Sequence, residues 1–169
     1  MTSKIQYKIF STTVIFLLLV FASQPISADT LSLTISQISV IRVSNVNRVR
    51  VNFDISPLEN TRIDYAEIII PHFLTQGTLT VEGWRLNSEN PNDYDTTYNA
   101  HYNTHASLNL PIILDITKFI KHWVENGNNF GILLKRPYYE GGGFRSELQS
   151  LRNALANARI KIFFIRESE

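Results

Sequence analysis

Beyond residue 28 the chain changes between apolar and polar residues at nearly every second position, in short runs separated by turn-forming residues. Leu31-Ser32-Leu33-Thr34-Ile35 alternates, Ser39-Val40-Ile41-Arg42-Val43 follows, and Asn45 and Asn47 mark a turn. Arg48-Val49-Arg50-Val51-Asn52-Phe53-Asp54-Ile55 then alternates throughout. Successive side chains of a strand point to opposite sides, so this run predicts one buried and one wet face, with Val49, Val51, Phe53 and Ile55 inward. Ser56-Pro57 closes it, because proline cannot donate to a central ladder.

The same pattern predicts strands over Asp64 to Phe73, Thr78 to Trp84, Phe130 to Lys135 and Ala158 to Ile165, while Leu108 to Leu114 is an apolar stretch leading into the segment that follows. In the last of these, Ile160, Ile162 and Phe164 alternate with Arg159, Lys161 and Phe163. Between Trp84 and Leu108 the alternation fades into Asn, Asp, Thr and Tyr, which predicts a long polar loop over Asn87 to His105, with part of it, such as Thr97 to Tyr102, pairing as an edge strand.

One segment changes period. Ile116, Phe119, Ile120 and Trp123 recur at helical spacing, with Lys118, Lys121 and Glu125 on the other side. Asp115 or Thr117 supplies the cap and Gly127 the left-handed stop, giving a short helix over about 117–126. A second helical stretch is expected near 147–156. Many short strands with so little helix predict an all-β fold, an antiparallel β-sandwich of jelly-roll type.

The first 28 residues do not belong to that sandwich. Lys4 and Lys8 precede the apolar run Val14 to Ala22, and Gln24-Pro25-Ile26-Ser27-Ala28 offers small residues for cleavage. This is the pattern of a secretory signal peptide, 1–28, ahead of a single module, 29–169, with cleavage after Ser23 and retention as an uncleaved anchor as the alternatives. The apolar run is short for a membrane span of about 20 residues. No stable membrane insertion is expected after cleavage, and the product is expected to be secreted, either extracellular or periplasmic.

The 16 basic and 15 acidic residues nearly cancel. Removing a segment that carries two basic and no acidic residues leaves 14 against 15, a net charge of −1. Such a chain lacks the electrostatic footprint of a nucleic-acid binder. It has no cysteine, which excludes a disulfide framework, thiol chemistry and a lipid-modified cysteine.

Two blocks of residues resemble a known family. The first is Arg50-Val51-Asn52-Phe53-Asp54-Ile55-Ser56-Pro57-Leu58 with Ile63-Asp64-Tyr65-Ala66-Glu67-Ile68. The second is Leu114-Asp115-Ile116-Thr117, then Trp123, then Asn129-Phe130-Gly131-Ile132-Leu133-Leu134-Lys135, then Phe144-Arg145-Ser146-Glu147. Their order and spacing are similar to those of the DNRLRE-type domain, a jelly-roll module of secreted proteins related to carbohydrate-binding modules. The chain departs from that family at its N-terminal strands, which lack a glycine-rich opening. It departs again around Val81 to Leu86, and at Gln149 to Asn157, where a helix replaces a short turn. The resemblance implies a jelly roll and a non-catalytic, polymer-binding role.

Candidate contact residues follow from side-chain chemistry. Trp and Tyr offer flat apolar faces for sugar rings and polar tips for hydroxyls. Trp84, Tyr94, Tyr98 and Tyr102 are the candidates around the polar loop, with Tyr138 and Tyr139 before the glycine run 141–143. A stacking platform requires Trp84 and at least two of these tyrosines to be exposed and roughly coplanar. Trp123 lies on the apolar side of its helix and is expected in the core.

Asn90, Asp93 and Asp95 form an oxygen-rich group that could hold calcium, although their spacing is not that of an EF-hand loop. The bland reading of the same residues is turn formation by Asn90-Pro91-Asn92-Asp93. His101 and His105 share a face at a spacing of four but lack a third metal ligand. The sequence holds no Gly-x-Ser-x-Gly, phosphate loop or dinucleotide fingerprint, and no enzyme is expected. The leading expectation is a secreted module that binds extracellular polysaccharide or another extracellular polymer. The alternative is a structural module that packs on a protein partner through a sheet edge or an exposed apolar face.

Overall fold

The computed structural model describes residues 28–44, 46–72, 78–105, 109–135 and 144–166. Residues 1–27, which hold nearly all of the expected signal peptide, and the candidates Tyr138 and Tyr139 lie outside them. Nine strands are described: β1 Asp29–Thr34, β2 Gln37–Val43, β3 Val46–Asn52, β4 Thr61–Ile70, β5 Thr78–Leu86, β6 Tyr94–His105, β7 Ile112–Asp115, β8 Ile132–Lys135 and β9 Arg159–Arg166. Helix α1 spans Thr117–Asn126 and helix α2 spans Phe144–Leu155.

The strands form two antiparallel sheets, one in the order β1-β9-β4-β7 and one in the order β2-β3-β8-β5-β6. With β2 set aside, every connection between successive strands except β5 to β6 crosses from one sheet to the other. That alternation is the jelly-roll topology expected from the sequence.

The core lies between the sheets, where the alternating runs place their apolar faces. Val49, Val51 and Phe53 are buried there, as are Ile160, Ile162 and Phe164 from the closing strand. Ile55 is only partly buried at the margin. The polar side of β3 is not wet, contrary to expectation. Arg48 is 8% exposed, and the side chain of Arg50 is 14% exposed and paired with Glu89 at 2.8 Å. A loop folded over this side accounts for the covering of Arg50.

Several residues tie α1 to β4 and the entry of β8 to the end of β3. Thr117 places its hydroxyl on the Ala66 N–H (2.9 Å), Ile116 N–H donates to Ala66 O, and Asp115 Oδ1 accepts the Thr117 N–H. Asn129 Nδ2 donates to Phe53 O at 2.7 Å while its Oδ1 accepts the Gly131 N–H. Helix α1 is closed by Gly127, left-handed at φ 71° with its N–H on Trp123 O. Phe119, Ile120 and Trp123 are fully buried, and Trp123 meets Phe53 edge-on with ring centroids 5.7 Å apart.

Candidate functional site

The expected loop over Asn87 to His105 is loop only to Asp93; from Tyr94 onward it is β6, the edge strand of the five-stranded sheet. The loop is a set of local hydrogen bonds. Asn87 Nδ2 and Ser88 Oγ both donate to the Asp93 carboxylate, at 3.1 and 2.8 Å. Asn90 Oδ1 accepts the Asn92 N–H. Asn92 Oδ1 accepts the N–H of Ser44 in the β2–β3 turn, and Glu89 pairs with Arg50 of β3. Hydrogen bonds from Ser88 and then Asn87 hold the Asp93 carboxyl below its usual range, and the bond from Arg50 does the same for Glu89.

A step of two residues on β5, from Trp84 to Leu86, faces five on β6, from Asn99 to Tyr94. Asp95 stabilises this bulge by accepting from the N–H and hydroxyl of Thr97, at 2.9 and 2.6 Å, and from Arg85 at 2.9 Å. The Thr97 hydroxyl is the main reason the Asp95 carboxyl is lowered to about 2, with the Arg85 guanidinium adding to it.

The outer face of this sheet carries the candidate site. Register places Arg50, Leu133, Trp84 and Asn99 side by side on β3, β8, β5 and β6. The neighbouring row places Lys135 beside Glu82 and Glu82 beside His101. Leu133, Val43 and Leu86 form a small buried floor, and Ile41, Trp84, Tyr94 and Phe130 are half-buried against it. The Trp84 and Tyr94 rings are 5.6 Å apart and cross at 70°. The Lys135 ammonium lies 4.7 Å from the Trp84 ring centre and 3.8 Å from that of Tyr94. Glu82 accepts the Trp84 Nε1–H at 3.1 Å and faces His101 Nδ1 at 3.8 Å.

The structure therefore brings Trp84 and Tyr94 together and separates Tyr98 and Tyr102 from them. Tyr98 and Tyr102 belong to the inner side of β6 and pack against the main core, Tyr98 edge-on to Phe119 with its hydroxyl toward Asp115 O. The bulge and the two-residue alternation of β6 are the reason. Among the described residues, a flat platform of Trp84 with several coplanar tyrosines is not formed.

Asn90, Asp93 and Asp95 do not converge either. Asn90 and Asp93 close their own loop, while Asp95 turns to Arg85 and Thr97. Among the described residues no group of three or more His, Asp or Glu is placed to hold a metal ion.

Three members of the site escaped sequence reasoning. Lys135 comes from a strand about fifty residues downstream of Trp84, and no local pattern links them. Glu82 was legible in principle, because the alternation of β5 puts it on the same side as Trp84. His101 was noticed only as half of a metal pair. A cleft of about 470 Å³ also opens between the start of β4 and α1, lined by Arg62, Asp64, Lys121 and Glu125 among others. It offers no aromatic plane and lies apart from these groups.

No family model matches this chain, and no curated protein matches it. Among the described residues no helix is long and apolar enough to cross a membrane.

Proposed function

We propose that this chain is a secreted, non-catalytic jelly-roll module that binds an extracellular glycan or a similar hydroxyl-rich polymer along the outer face of its five-stranded sheet. The observation that carries this reading is the half-buried Trp84–Tyr94 pair, set on a small apolar floor and bracketed by Lys135 and Glu82. A sugar ring would rest against one aromatic plane and be confined by the other. Glu82, Lys135, Asn99 and His101 would exchange hydrogen bonds with its hydroxyls. The resemblance to the DNRLRE-type domain supports the same reading, and so does the signal-like N-terminus. Polymer binding of this kind needs neither nucleophile nor metal.

The test is a polysaccharide array followed by affinity electrophoresis. Trp84→Ala should weaken binding at least about tenfold, an aromatic contact being worth about 1.4 kcal/mol. Tyr102→Phe, on the inner side of β6, should bind as the parent does. Equal binding by the Trp84 variant, or no binding to charged or neutral polysaccharides, would overturn the reading.

A second reading, a module that packs on a protein, is favoured by one observation. Tyr65 and Ile113 are 37% and 41% exposed and belong to the outer side of the other sheet.

A further inference from the structure

The outer face of the four-stranded sheet combines apolar side chains with charges sorted by strand. Register sets Tyr65 beside Phe163, Glu67 beside Lys161 and Ile69 beside Arg159 on β4 and β9. On β7, Ile113 adjoins Ile69 and Asp115 adjoins Glu67. The positive groups of these rows, Arg159 and Lys161, are all on β9, and the negative ones, Glu67 and Asp115, are on β4 and β7. At the end of the face, Arg62 is held by its neighbour Asp64 at 3.6 Å.

Tyr65 and Phe163 are in contact, with ring centroids 6.1 Å apart, and the Tyr65 hydroxyl donates to Glu67 Oε2 at 2.9 Å. Burial, and then the bond to Glu67, push the Tyr65 phenol up to about 12, so it remains a donor. Lys161 forms no ion pair among the described residues. Its ammonium lies 4.7 Å over the Phe163 ring, although Glu67 is its cross-strand neighbour.

This arrangement is self-complementary. A two-fold axis lying on the face, parallel to the strands and midway between β4 and β9, carries each of these strands over the other in a second copy. Because cross-strand neighbours share a level, Lys161 of one copy then faces Glu67 of its mate, and Phe163 faces Tyr65. Both Lys161–Glu67 pairs form at once, which is the signature of an isologous contact. The result is aligned sheet-on-sheet packing.

With strands about 4.8 Å apart and β9 about 26 Å long, the footprint is on the order of 500 Å² per copy. That is the low end of specific association. We propose that this chain forms a weak homodimer, in the micromolar range, through the outer face of its four-stranded sheet. This surface is separate from the polymer-binding face, which lies on the other sheet.

Sedimentation velocity over a range of protein concentrations tests the proposal. The parent should dimerise reversibly. Glu67→Lys and Lys161→Glu should each raise the dissociation constant at least about tenfold, by placing like charges in contact. The double exchange, Glu67→Lys with Lys161→Glu, should restore it to within about threefold, since the two-fold pairs are re-formed. Ile113→Lys, at an exposed position, gives an independent variant that should be monomeric. A parent that stays monomeric at about 100 µM, single variants that dimerise like the parent, or a double exchange that fails to restore association would each overturn it.

Discussion

Gly131 is the residue whose identity is most tightly dictated. Its φ of +92° is costly for any side chain, and an added Cβ would sit 2.4 Å from Asn52 Oδ1 and 2.6 Å from Val51 O. The second obstacle is backbone within β3 and cannot rotate away. Gly131→Ala should therefore destabilise by about 2 kcal/mol or more, read as a lowered urea midpoint at unchanged slope. Asp95 gives a different kind of signal. Its carboxyl is lowered to about 2 in the folded chain, so its contribution is complete above the unfolded value near 3.9 and is lost as pH falls through about 2. Asp95→Asn should cost about 1 kcal/mol at pH 7, allowing for solvent screening. The gap between variant and parent should close as the urea midpoint is followed down toward about pH 2.

Elements differed in how far the sequence disclosed them. Helix α1 was legible because four large apolar residues repeat at its period and a glycine stops it. Strands β3 and β9 were legible because alternation is strict when one side meets the core. Strand β6 was legible only in part. As an edge strand its outer side carries Asn99 and His101, its inner side carries amphipathic tyrosines, and the Asp95–Thr97 bulge shifts the alternation midway. Polarity on both sides and a broken period together look like a loop. The candidate site was legible to a similar degree: Trp84 and Tyr94 could be proposed from chemistry, whereas Lys135 reaches them only through the pairing of β5 with β8. Helix α1 also carries a prediction. The Trp123 Nε1–H is buried without an acceptor among the described residues, so packing alone accounts for this indole. Trp123→Ala should cost about 3–5 kcal/mol, and Trp123→Phe clearly less, because it retains an aromatic ring and forfeits no hydrogen bond. Equal losses in thermal or urea unfolding would contradict this account.

For the whole molecule, six residues spread along the chain do one job. Asp115, Thr117 and Ala66 join α1 to β4, while Phe53, Asn129 and Gly131 join β3 to the entry of β8. They tie the β7–α1–β8 connection, which changes sheets, to β4 at its start and to the end of β3 at its finish. They say little about ligand, because none of these six side chains belongs to the outer face where Trp84 and Tyr94 lie. The two outer faces, one with an aromatic pair among hydrogen-bonding groups and one with apolar rows flanked by sorted charge, are free to serve different ends.

The placement of β9 also governs the order of events when the chain is made. Leu31 and Ile162 are cross-strand neighbours separated by 131 positions, and β9 stands between β1 and β4. A polypeptide emerging N-terminus first presents β1 and β4 long before the strand that joins them exists. Until β9 arrives, only the β4–β7 pair of the four-stranded sheet has its native partner, and β1 has none. The five-stranded sheet forms without β9, whereas the four-stranded sheet is completed only in a late step dominated by contacts between distant segments.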